Sequence, residues 1–72
     1  MTLGELLAHA ERRGARVRPI NQAWGQAYEQ LYLLERSDEA KCYQTSVTGE
    51  REHDLEDEIV GRVCRTLNIP HP

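Results

Sequence analysis

The sequence predicts a small α+β domain of order α-β-β-β-α, with a three-stranded antiparallel sheet and both helices over one face. Three observations predict it. An apolar stripe at helical spacing opens the chain, starting at a capping box and stopping at a glycine. A second, broader stripe fills its last quarter. Between them lie segments rich in β-branched and aromatic residues, broken by a polar turn.

The first helix spans about residues 2–13. Thr2 followed three residues later by Glu5 is a capping box. Leu3, Leu6, Leu7 and Ala10 share one face, and Gly14 supplies the stop. Arg12 and Arg13 sit in the last turn, where cations complement the helix dipole. "ARVRPI", residues 15–20, reads as the first strand, with Arg16 and Arg18 on one side and Val17 on the other. Pro19 cannot donate to a ladder, so this strand belongs at an edge or ends there.

Residues 21–35 admit two readings. As a helix, Trp24, Ala27, Tyr28, Leu31 and Leu34 form a stripe. As a strand over about 28–36, Tyr28, Tyr32 and Leu34 face one way and Leu31 and Leu33 the other. Context favours the strand. "KCYQTSVT", residues 41–48, is rich in strand formers and needs a partner across the "RSDE" turn. The far face of such a hairpin has no helix over it, so a tyrosine is expected to be exposed there. The last helix spans about 53–67, with Leu55, Ile59, Val60, Val63, Cys64 and Leu67 as its apolar face and "NIPHP" as its end.

Seventy-two residues make a single domain, 1–72. A chain of this length buries only about 60% of the surface it exposes when unfolded. Two cysteines, Cys42 and Cys64, make no disulfide framework. "MTLGELLAHAERRG" lacks the basic start and apolar core of a signal peptide, and no apolar run approaches the length of a membrane span. The expectation is a cytoplasmic protein with reduced thiols, no membrane association, and homodimerisation as one route to a larger core. The net charge of −3 is uneven: arginines outnumber acids in residues 1–20, and acids outnumber arginines in 46–72. A weakly acidic balance argues against general nucleic-acid affinity.

No enzyme signature emerges, and the chain is read as non-enzymatic. His53 with Glu56 or Asp57 offers only two metal ligands on one helical face, so neither a metal nor another cofactor is expected. Cys64 falls on an apolar face, where burial makes a thiol inert. Cys42 has no histidine near it in sequence. There is no glycine-rich phosphate loop, and nothing places two carboxylates around a cleft.

Two surfaces are candidates for binding. The first is acidic: "EREHDLEDEIVGRVCR", residues 50–65, puts six carboxylates into nine positions. Part of that charge is explained by a helix start near Asp54, with Arg62 and Arg65 toward the end and Glu58–Arg62 as an i,i+4 pair. Glu50, Glu52, Asp54, Asp57 and Glu58 remain as a docking surface for a protein partner, one that itself binds nucleic acid. The second surface is the arginine patch Arg12, Arg13, Arg16 and Arg18, with Tyr28 and Tyr32 as stacking or interface anchors and Trp24 and Tyr43 nearby.

The order of elements, with "LLAHAERRGARVRPI" and "IVGRVCRTLNI" at its two ends, resembles the double-stranded-RNA-binding-domain fold of HicA-type toxins. The resemblance implies RNA binding through the arginine patch. The family's Gly-Ser-His segment is absent; the histidines here are His9, His53 and His71, so no catalytic residue carries over. In size, acidity and lack of an active site the chain also resembles small phage-encoded inhibitors such as anti-CRISPR proteins. That likeness implies an inhibitor that occupies a macromolecular target by imitating phosphates, and it is the preferred expectation over the RNA-binding one.

Overall fold

The structure, a computed structural model, describes residues 1–20 and 30–72. Helix α1 (Leu3–Arg12) is followed by strands β1 (Arg16–Ile20), β2 (Leu31–Ser37) and β3 (Cys42–Thr48), and helix α2 (Asp57–Leu67) closes the order α-β-β-β-α. The strands form one antiparallel sheet in the order β1-β2-β3. From Leu31 onward the ambiguous segment is strand. The helical alternative for the residues before it, with Trp24 and Tyr28, lies outside the described residues. None of the described helices is long and apolar enough to cross a membrane.

Alternation divides the sheet as the sequence predicts. Tyr32, Leu34 and Val47 are buried in one core with Leu3, Leu6 and Leu7 of α1 and Val60, Val63 and Leu67 of α2. Leu31 and Leu33, on the opposite face, are half-buried. Neither of the two described tyrosines lies on that far face, and Tyr28 lies outside the described residues. Tyr32 is buried, and Tyr43, in step with it across β2 and β3, packs partly buried against the same core. Strand alternation puts both rings on the core face, and each carries a cation over it: Arg51 stands 5.3 Å from the Tyr32 ring centre and Arg36 5.5 Å from that of Tyr43.

Turn chemistry closes the hairpin. The Asp38 carboxylate accepts the amides of Ala40 and Lys41, both at 3.0 Å, and the Tyr43 hydroxyl at 3.1 Å. These bonds hold the Asp38 carboxyl below its ordinary range, the amides of Ala40 and Lys41 contributing most. Both helices end in the same way. The residue after each last turn is left-handed, Gly14 at φ 92° and Asn68 at φ 55°. The next amide then reaches five residues back, Ala15 to Ala10 and Ile69 to Cys64. All four of these residues are buried, so each stop also docks the chain on the core.

The last helix starts later than the sequence suggests, at Asp57 rather than near 53. Residues 51 and 52 form a turn and 53–55 stay out of the helix because their backbone is used elsewhere. The carbonyls of Arg51 and His53 accept the amides of Gly4 and Leu3, the Leu55 amide donates to the Met1 carbonyl, and Asp54 bridges Thr2.

Candidate protein-docking surface

The acidic run has two parts with different duties. In residues 50–55 the backbone matters more than the carboxylates. A helix leaves its first four amides without partners, and α1 satisfies its own from two sources. The amides of Leu3 and Gly4 donate to His53 O at 2.8 Å and Arg51 O at 2.9 Å. The Glu5 amide donates to Thr2 Oγ1, and the Glu5 carboxylate accepts the Thr2 amide, completing the capping box. Gly4 permits this approach: a Cβ there would stand 3.2 Å from the Arg51 carbonyl oxygen.

The side chains of this segment point outward. Glu50, Glu52, Asp54, Glu56, Asp57 and Glu58 are all exposed. Asp54 meets the amino group of Met1 at 3.0 Å; among the described residues the other five have no ion pair. The expected Glu58–Arg62 pair does not form. Arg62 reaches across to β3 instead, donating to Thr45 Oγ1 and the Ser46 carbonyl, both at 3.3 Å. Arg51 covers the Tyr32 ring, and Arg65 folds back along its helix over Gly61. Arg51 and Arg62 are thus engaged elsewhere, and of the six carboxylates all but Asp54 are without an ion pair among the described residues.

A shallow groove of about 300 Å³ lies beside this ridge, lined by Ser46, Val47, Thr48, His53, Leu55, Ile59 and Arg62. Sequence reasoning missed it because it depends on α2 lying against β3. Its one sequence-level trace is Ile59, which widens the apolar stripe beyond what the core buries.

The second expected surface is divided. Arg12, Arg13, Arg16 and Arg18 are exposed, but Arg18 pairs with Glu35 across the sheet at 2.5 Å. Tyr32 is buried on the face opposite Arg16 and Arg18, so arginines and aromatic ring form no single platform, and Tyr28 lies outside the described residues. The thiols are well separated in environment: Cys42 is exposed on β3, and burial pushes the Cys64 thiol up. Among the described residues no group of three His, Cys, Asp or Glu side chains is placed to hold a metal ion. His9 is buried and donates from Nε2 to the Pro70 carbonyl at 2.8 Å, a tie between α1 and the tail.

No family model matches the chain, and neither a curated protein nor a solved structure is detectably similar to it.

Proposed function

We propose that this is a non-enzymatic interaction protein of the cytoplasm that docks its 50–58 ridge on a basic, nucleic-acid-binding surface of a protein partner and blocks it. The small phage-encoded inhibitors, anti-CRISPR proteins among them, are the type it fits. One observation carries the reading. Five exposed carboxylates stand together without an ion pair among the described residues, while Arg51 and Arg62 are turned to other contacts. A ridge left uncompensated in the free protein complements a groove built to neutralise phosphates. The RNA-binding alternative draws less support, because Arg18 is paired and Tyr32 lies on the other side of the sheet.

The test is capture of the partner from the source cells with the wild-type chain and with Glu50→Gln, Glu52→Gln, Asp57→Asn and Glu58→Gln combined. The expected result is loss of capture by the variant, an unchanged far-UV spectrum, and release of the wild-type complex by duplex DNA. A complex that survives both the neutralisation and the DNA would overturn the reading.

A further inference from the structure

The two edges of the sheet differ, and the difference follows from which backbone groups face out. The Gly49 amide donates to Gln30 O and the Asp38 amide to Lys41 O. With the β2–β3 register, these bonds put Tyr43, Thr45 and Val47 in hydrogen-bonded pairs with β2. The amides and carbonyls of Gln44, Ser46 and Thr48 therefore point away from β2, to the open side. The Ser46 carbonyl accepting Arg62 from outside the sheet agrees with this. By the same alternation Ile20, Arg18 and Arg16 bond to β2, and Val17 and Pro19 face the opposite edge. There the missing N–H of Pro19 removes a donor, and the strand is only five residues long.

Strand β3 has none of these protections. It runs seven residues without a charge or a proline. An edge of that kind is a template for another strand unless something covers it. Among the described residues no strand pairs with its outer side, and the groove along Ser46, Val47 and Thr48 leaves room beside it.

We propose that the outer edge of β3 pairs antiparallel with β3 of a second copy of this chain, giving a two-fold dimer with a continuous six-stranded sheet. The charges flanking the strand select this occupant and this direction. Lys41 lies just before β3 and Glu50 two residues after it. A two-fold centred on Thr45 sets Gln44 opposite Ser46 of the second copy. It brings Lys41 of each copy beside Gly49 and Glu50 of the other, opposite charges together at both ends. A parallel pairing would bring like charges together. The assembly also closes: once both β3 edges are used, only the Pro19 edges remain, so pairing stops at two copies and does not run on into a fibre. On pairing, the Ser46 carbonyl exchanges its bond from Arg62 for a ladder bond from the facing strand, and Arg62 keeps its bond to Thr45 Oγ1.

Sedimentation equilibrium on the wild-type chain tests this, alongside two variants that alter only side chains on the solvent face of β3. Wild type is expected to dimerise with rising concentration. Gln44→Lys with Ser46→Lys sets like charges opposite each other twice, and should weaken the dimer by about tenfold or more. Gln44→Lys with Ser46→Glu sets opposite charges there and should restore it. A wild-type chain that remains monomeric, or a double-lysine variant that dimerises as well as wild type, would overturn the proposal. So would a charge-swapped variant no better than the double-lysine one.

Discussion

The two helices begin in opposite ways. α1 starts against the core: Leu3 is fully buried, and its first amides are taken by Thr2, Arg51 and His53. α2 starts in water: Glu56 takes extended geometry but makes no side-chain cap, and Asp57 and Glu58 are exposed. The first start is bound by hydrogen bonds to distant backbone, the second by charge against the helix dipole alone. A helix end used as structure is closed to a ligand. A helix end served only by solvated acids leaves those acids free to meet something else.

Truncating the first residue of each helix should break this comparison most sharply. Leu3→Ala is expected to cost about 2–5 kcal/mol in urea denaturation, a large part of the stability of so small a domain. Asp57→Ala should change the midpoint little. Removing the local cap with Thr2→Ala should cost about 1 kcal/mol, since the Glu5 amide loses its acceptor. Supplying the missing cap with Glu56→Ser should raise the melting temperature, by the equivalent of roughly 0.5–1 kcal/mol, because that residue already has N-cap backbone geometry.

The smallest effect should be one of pH. The bond from the Thr2 amide, with the Thr2 hydroxyl beside it, holds the Glu5 carboxyl below its ordinary range. A carboxyl depressed in the folded state contributes stability above its unfolded value, and that stability is lost as pH falls through the folded value. Wild type should therefore be more stable than Glu5→Gln at neutral pH, with the gap closing on acidification. A gap of constant size from neutral to acid pH would show that the box is not titrating.

What the sequence made legible is what short-range chemistry writes into side chains. Thr2 and Glu5, Gly14, the alternation of Tyr32 and Leu34, and the Asp38 turn each carry a local signature, and the order of elements followed from them. The helix start near Asp54 was misplaced for the converse reason. A carbonyl such as that of Arg51 can cap a distant helix whatever side chain it bears, so no pattern of letters announces it. Arg62 misled in the same way: spacing offers it Glu58, but the packing of α2 on β3 puts Thr45 and Ser46 within its reach. The acidic side chains of the candidate surface were visible at once. That all but Asp54 lack an ion pair became visible only when Arg51 and Arg62 could be traced to other partners.

The tie between His9 and Pro70 spans 61 residues, and the bonds that finish the start of α1 come from the same late part of the chain. A helix whose own sequence favours it can flicker into existence early, but its start is capped and its His9 tied only once residues 51–55 and the tail are in place. Closing loops of that length costs entropy before the contacts return any of it. The docking of α1 thus joins residues far apart in sequence, and contacts of that range are expected to slow folding.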